Sequence, residues 1–271
     1  MRVDQIGLQL YTVRRPAATD LPGTLRAVAD AGFRDVELAG LPDLEAEDVR
    51  GHLDAAGLEP IAAHVPIEAL RADPAAIFDW LDTLRCPRAV IPWLPPAERS
   101  SPAHVREIAT ELGSLADEAG RREIRLAYHN HDFEFAPMAG TSMWEVLLRT
   151  LPASVDIELD VYWATVAGRR PVEVIEQLGR RVRMLHMKDR APGTDPVDAP
   201  AGTGTLDWAG IVEAAQEAGV EWYIVEQDEP SDPIADAAAA LRYLRSLAAP
   251  EARVERTPGT DGPHRGHGAV R

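Results

Sequence analysis

One pattern recurs along this chain and constrains its fold more than any other: a helix-like stretch closed by glycine, followed at once by a short β-rich run. It occurs at Ala31-Gly32 before Phe33 to Leu38, at Ala56-Gly57 before Leu58 to His64, and at Ala119-Gly120 before Ile124 to His129. It returns at Leu178-Gly179 before Val182 to His186 and at Ala218-Gly219 before Trp222 to Glu226. Glycine past a helix end takes the left-handed conformation without a Cβ clash, so each instance marks a helix stop and a strand start. Helix starts are marked too, at Ser101-Pro102 and Asp73-Pro74, where a capping side chain precedes a proline whose missing N–H costs nothing in the first turn.

Between these marks the apolar spacing is helical, as in Leu21, Leu25 and Val28, or Val105, Ile108, Leu112 and Leu115. The strand candidates are short and nearly continuous, such as Ala89 to Ile91 and Trp222 to Val225, as parallel strands buried on both faces require. Eight βα units result. Strands are expected near Ile6 to Leu10, Arg34 to Leu38, Pro60 to His64, Arg88 to Pro92, Ile124 to His129, Val155 to Asp160, Val182 to His186 and Trp222 to Glu226. Helices follow near Leu21 to Asp30, Leu44 to Ala56, Pro74 to Leu84, Pro102 to Ala119, Met143 to Thr150, Val172 to Leu178, Trp208 to Ala218 and Pro233 to Leu247. Unbroken alternation implies a parallel sheet, and eight units close most naturally into a (β/α)8 TIM barrel, with a doubly wound open sheet as the alternative. The barrel is expected over residues 1–248 of the 271, with Ala249 to Arg271 a disordered tail whose His264 and His267 are solvated rather than metal-binding.

A hydrophobic fraction of 45% supports a core, while a formal net charge of −16 argues against a nucleic-acid partner, whose phosphates need Lys and Arg. The single cysteine, Cys86, excludes an internal disulfide. No apolar run reaches the length of a membrane span, so a cytoplasmic protein without a membrane partner is expected, its state as monomer or homo-oligomer left open.

Barrels place function at the C-terminal ends of their strands. Strand five ends in Tyr128-His129-Asn130-His131, six in Glu158-Leu159-Asp160, seven in His186-Met187-Lys188 and eight in Glu226. Taken alone, each has an ordinary explanation as a hydrogen-bonded side chain or a helix cap. Together they bring imidazoles and carboxylates to one rim, a mixed N/O set suited to Mn, Co, Fe, Zn or Mg. His129 and His131 share a strand face, as do Glu158 and Asp160, so each pair offers one outer and one deeper residue. Further rim candidates are Gln9, Tyr11, Glu37, His64, Trp93 and Trp163. The tryptophans suit the apolar face of a sugar ring, and His64 is either a general acid/base or a core histidine. Gly202-Thr203-Gly204 offers backbone N–H groups to a phosphate, a weak signal on its own.

The words Gly-Leu-Gln-Leu-Tyr-Thr-Val-Arg (7 to 14), Tyr-His-Asn-His-Asp-Phe-Glu-Phe (128 to 135), Glu-Leu-Asp-Val-Tyr-Trp-Ala (158 to 164), His-Met-Lys-Asp (186 to 189), Gly-Thr-Gly (202 to 204) and Val-Glu-Gln (225 to 227) occur in this order. Jointly they resemble the sugar phosphate isomerase/epimerase group with xylose-isomerase-like barrels, from Gly7 to about Leu247. The resemblance implies a divalent ion held by Glu, Asp, His and Glu on strands five to eight. Asp160, His186 and Glu226 match; on strand five, His129-Asn130-His131 stands where many members read Glu-Asn-His, which puts His129 in the glutamate's place. Epimerases of that group resemble two-base machines, and a neutral histidine bound to a metal through one nitrogen cannot also accept a proton there. His-Met-Lys-Asp is instead similar to the His-x-Lys-Asp of inosose dehydratases. Lys188 shares a face with His186 and could reach a substrate carbonyl or leaving hydroxyl; otherwise it pairs with Asp189 or another rim acid.

The expectation is therefore an enzyme that removes a proton beside the carbonyl of a small carbohydrate, with Glu226 or a rim histidine as base. Its metal would be held by His129, Asp160, His186 and Glu226, with Glu158 or His131 as the replacement for one of them. Reprotonation gives an isomerase or epimerase; expulsion of a β-substituent gives a lyase or dehydratase. An apurinic-endonuclease-like enzyme and a sugar-binding barrel without activity are the alternatives from other classes.

Overall fold

The computed structural model describes residues 1–40 and 44–248. Eight parallel strands form the barrel: β1 (Ile6–Gln9), β2 (Asp35–Leu38), β3 (Glu59–His64), β4 (Arg88–Ile91), β5 (Arg125–His129), β6 (Val155–Asp160), β7 (Val182–Arg190) and β8 (Trp222–Val225). β1 pairs with β2 on one side and β8 on the other, and β6 with β7, so the sheet closes and the open-sheet alternative is excluded. The main helices are α1 (Leu21–Asp30), α2 (Ala46–Ala56), α3 (Pro74–Leu84), α4 (Pro102–Gly120), α5 (Met143–Thr150), α6 (Pro171–Leu178), α7 (Trp208–Ala218) and α8 (Pro233–Leu247). None is long and apolar enough to cross a membrane. The expected tail, with His264 and His267, lies outside the described residues.

Local chemistry sets the helix ends. Asp73, Ser101, Ser142, Asp207 and Asp232 each accept a backbone N–H of the following first turn, and α3, α4, α6 and α8 carry proline there. Gly57 and Gly219 close α2 and α7 at φ 69° and 81°. Gly120 departs from the expected pattern. The amides of Arg121 and Arg122 still turn back onto the carbonyls of Glu118 and Ala119, at 3.2 and 2.9 Å, so the chain overshoots the glycine and Glu123 takes the left-handed conformation at φ 61°.

Strand alternation gives the barrel interior columns of residues two apart. On β5 the column is Arg125, Ala127, His129; on β6 it is Asp156, Glu158, Asp160; on β7 it is Met184, His186, Lys188. Ile61, Ala62, Val90, Ala127, Met184 and Ile224 form an apolar plug inside the barrel, separate from the main core between sheet and helices. Below the plug, at the N-terminal mouth, Arg88, Arg125 and Arg183 pair with Glu221, and Arg125 also with Asp156 at 2.7 Å. Above it lies the functional end. β7 runs beyond its expected end at His186, because Lys188–Arg190 pairs antiparallel with a short strand, Asp198–Pro200.

Candidate active site

At the C-terminal mouth a cleft of about 530 Å³ is lined by Tyr11, His64, Pro92, Trp93, His129, His131, Trp163, Lys188, Glu226 and Asp228. Tyr11 and Trp93 stand on its edge, each 42% exposed, and the Arg14 guanidinium lies 4.0 Å over the Tyr11 ring. His131 sits just past β5 with Phe133 stacked on its ring and Trp163 beside it, so imidazole and indole share one wall.

Lys188 is the cation of the cleft, and it is only 1% exposed. Its Nζ lies 2.7 Å from Glu226 Oε2, 3.1 Å from Asp160 Oδ2 and 3.0 Å from Asp228 Oδ1. Burial works against its charge, but the three carboxylates outweigh it and hold the pKa well above the ordinary lysine range. The expected alternative partner, Asp189, is engaged elsewhere. Its Oδ2 accepts from Gly202 N, Gly204 N and Trp208 Nε1, and its Oδ1 from Arg190 N and Leu206 N. The backbone donors of Gly202-Thr203-Gly204 that a phosphate would use at the two glycines are therefore spent on an internal carboxylate. The weak phosphate signal of that loop is thereby accounted for within the fold. Packing is equally strict there: a Cβ on Gly204 would clash with Arg190 O.

Beneath the cleft lies a second, deeper group. Glu158 Oε2 is 2.9 Å from His64 Nε2, 3.0 Å from His129 Nδ1 and 3.2 Å from His186 Nε2. His186 spans both groups, its Nε2 also 2.7 Å from Glu37 Oε2 and its Nδ1 2.9 Å from Glu226 Oε2. Gln9 donates to Glu37 from its Nε2 at 2.9 Å and accepts the Tyr11 amide on its other side. Gln9 and Glu37, expected at the rim, are thus wholly buried below it.

The electrostatics follow from this burial. Burial, then the charge of Glu158, pushes Glu37 up to about 7. Burial raises Asp160 to about 6 against the pull of Lys188. Glu226 moves the opposite way: Lys188 and His186 overcome its burial and hold it well below the carboxylate range. Burial lowers His129 to about 4 and His131 to about 2, in the latter case helped by His129 and Lys188. For His186, Glu158 and Glu226 overcome burial and lift the pKa well above its ordinary value.

Among the described residues, two sets bring possible ligand atoms within 4.8 Å of one another: Asp160, His186 and Glu226, and His64, His129, Glu158 and His186. The expected quartet is therefore divided, with His129 in the deeper set and His186 common to both. The chemistry fits a divalent cation, since among the described residues the buried carboxylate oxygens Glu158 Oε1 and Glu37 Oε1 have no hydrogen-bond partner, and Asp160 Oδ2 has only its ion pair with Lys188 Nζ. Asp160 also caps the helix Val161–Val166 by accepting Trp163 N at 2.9 Å, so one carboxylate oxygen is structural and the other faces the site.

Two residues escaped sequence reasoning. Asp228 was legible by the same two-residue spacing from Glu226 that links Lys188 to His186. Glu134, wholly buried, accepts Tyr128 OH and His131 N, each at 2.8 Å, and so fixes the turn that carries His131; a glutamate in a loop gives no such signal in sequence.

Several solved structures share this architecture. A sugar phosphate isomerase/epimerase from Parabacteroides distasonis superposes with a TM-score of 0.79 at 23% identity, covering 89% of this chain and 93% of that one. A probable 3-DHS dehydratase involved in petrobactin synthesis, from Bacillus anthracis, superposes with a TM-score of 0.68 at 13% identity, covering 90% and 98%. In sequence, an inosose dehydratase from Lacticaseibacillus casei is 25% identical over 157 residues, 51% of this chain; the match spans about half of that relative's length, 52%. The model of the family described as xylose isomerase-like TIM barrel matches residues 25–247, and the chain belongs to that family.

Proposed function

We propose that this chain is a divalent-metal-dependent enzyme that moves a proton beside the carbonyl of a small carbohydrate, in the manner of an isomerase or epimerase. The observation that carries the reading is the placement of Glu226, 2.9 Å from His186 Nδ1 and 2.7 Å from Lys188 Nζ at the wall of the cleft. Asp160, His186 and Glu226 would hold the ion, with His129 reaching it from the deeper set and Glu158 standing behind the two histidines. A divalent cation there supplies Lewis-acid chemistry, drawing charge from a carbonyl oxygen, an effect worth several kcal/mol of barrier.

The chain's own residues supply the proton chemistry. Glu226 is ionised at neutral pH and can accept the proton on the carbon next to the carbonyl. Lys188 is a fixed ammonium that donates a hydrogen bond to a sugar oxygen; its three carboxylates deny it the neutral form that a Schiff base needs. Trp93, Trp163 and Tyr11 offer aromatic faces to the sugar's apolar side, and His131 and His64 offer imidazoles to its hydroxyls.

One observation favours elimination as a second outcome. An ammonium two residues beyond His186 is placed to protonate a departing oxygen, and the similarity to inosose dehydratase supports the same reading. The proton leaves carbon for Glu226, its electron pair becomes the new double bond, and the C–O bond breaks with the oxygen protonated from Lys188, which takes the proton back from Glu226 Oε2, 2.7 Å away, and so is not left neutral. Elemental analysis of the purified protein, followed by solvent-deuterium exchange into a panel of ketoses, inososes and keto-glycosides, tests both outcomes. Exchange with isomer formation supports the first reading and exchange with an unsaturated product the second; a metal-free protein without exchange on any of them defeats both.

A further inference from the structure

Lys188 is the only lysine among the 271 residues. Arginine does not give up its proton, so Lys188 is the one strongly basic side chain that can pass a proton to a departing oxygen. Such a donor works from a fixed position, and its flexible four-carbon stem provides none by itself. The three carboxylates around Nζ are not equivalent in this respect. Asp160 caps the helix Val161–Val166 through Trp163 N, Glu226 lies 2.9 Å from His186 Nδ1, and both belong to one set of possible metal ligands. Asp228 belongs to neither set. Among the described residues its carboxylate takes side-chain hydrogen bonds from Lys188 alone, with Oδ1 and Oδ2 at 3.0 and 3.1 Å from Nζ. Its backbone is anchored as well: Asp228 N donates to Asp198 Oδ2 at 2.6 Å, and Asp198 lies opposite Arg190 in the ladder that clamps Lys188–Arg190. Both ends of the ion pair are therefore tied to the same two strands.

We propose that Asp228 is a positioning residue which holds the Lys188 ammonium at the cleft wall and so aims it at a substrate oxygen. The proposal rests on the elimination reading above. In that step Glu226 carries the proton taken from carbon before passing it to Lys188, and while it does so its charge against Nζ is lost. Asp160 is committed to its cap and to the ligand set. Asp228 takes no part in the proton transfer, keeps its charge throughout and lines the same cleft. Two rivals exist. One is a rim ion pair of little consequence, since the Asp228 side chain is 29% exposed; the other is a direct contact between Asp228 and substrate.

Protein labelled with 15N in lysine side chains has a single amine to observe, so its 1H–15N spectrum reads Lys188 alone. An ammonium open to water exchanges its hydrogens too fast to be seen at neutral pH, whereas a held one gives a signal. The wild type should show that signal, D228N should exchange about 10–100-fold faster through loss of a charged hydrogen-bond partner, and D228E should recover. Assayed with an inosose, D228N should lower kcat for the unsaturated product about tenfold, while KM and α-proton exchange stay within about threefold. A folded D228N with the wild-type signal and exchange rate overturns the proposal, as does a D228E no better than D228N. A raised KM at unchanged kcat overturns it in favour of direct substrate contact. If D228N does not fold, D198A, which removes the acceptor of the Asp228 amide, must also speed Lys188 exchange, and an unchanged rate there is equally fatal. The expected signal changes without any turnover of the inosose by the wild type instead remove the elimination reading and leave Asp228 supported as the anchor of the ammonium.

Discussion

Replacing Lys188 with Met keeps most of the side chain's volume and deletes its charge. The lysine is 1% exposed, with three carboxylates at 2.7 to 3.1 Å from its Nζ. Each contact is worth about 5–6 kcal/mol at an effective dielectric of about 20, so the bare cluster left by K188M could not keep all its charges. The cheapest relief is for one carboxyl to take up a proton. Against an ordinary carboxylate pKa near 4, that costs about 4 kcal/mol at pH 7 and about 1.4 kcal/mol at pH 5. The sign follows from linkage: the relieved group has a folded pKa above its unfolded one, so stability is present below the unfolded value and lost as pH rises through the folded one. Urea unfolding of EDTA-treated protein should show K188M less stable than wild type by about 4 kcal/mol at pH 7. The gap should narrow by about 1.4 kcal/mol per pH unit toward pH 5. A deficit that does not vary with pH, or one below about 1 kcal/mol at pH 7, would refute the account of Lys188 as the counterion of this cluster.

The same variant, assayed as folded protein on a verified substrate, should retain α-proton exchange but turn over more slowly; unchanged turnover would reduce Lys188 to a rim ion pair. Glu226→Gln should abolish exchange even in preparations that retain metal, as read by deuterium incorporation. Burial raises Glu134 to about 7, so the wild type loses stability relative to E134Q as pH climbs from about 4.5 through 7, by about 3 kcal/mol in all; parallel curves would contradict it. Asp189→Asn puts an amide where five donors converge, and should cost about 3 kcal/mol with a change in Trp208 fluorescence, since at least one buried N–H loses its acceptor.

What sequence disclosed follows from periodicity. Helix stops, caps and short apolar runs located the eight strands within a residue or two, apart from the end of β7, which runs on to Arg190, because a barrel strand must be buried on both faces. The ligand-type residues were legible because alternation puts His186 with Lys188, and Glu158 with Asp160, on one face. Alternation gives a face but no depth. Hence Gln9 and Glu37 were read as rim residues although they lie under the cleft, and Glu158 was only an alternative to its neighbours. Partners distant in sequence were equally hidden: nothing local indicates that Asp189 serves five donors, four of them on residues 190 to 206 and one on Trp208, rather than Lys188. Gly120 shows the limit of a residue rule, since α4 ends on it but two further amides found carbonyls and the left-handed turn fell to Glu123.

The extension of β7 also separates two jobs that loops usually combine. Lys188–Arg190 is clamped in register, Lys188 opposite Pro200, Asp189 opposite Ala199 and Arg190 opposite Asp198, so the hairpin's base is fixed by backbone pairing. The span between, residues 191–197, contributes no lining residue to the cleft and is tied to the helix Val161–Val166 by Tyr162 OH, which donates to Pro196 O at 2.7 Å. Insertions there can vary in length and composition while the ammonium stays where it is. That makes the hairpin tip a place where the chain can change without moving the reaction centre.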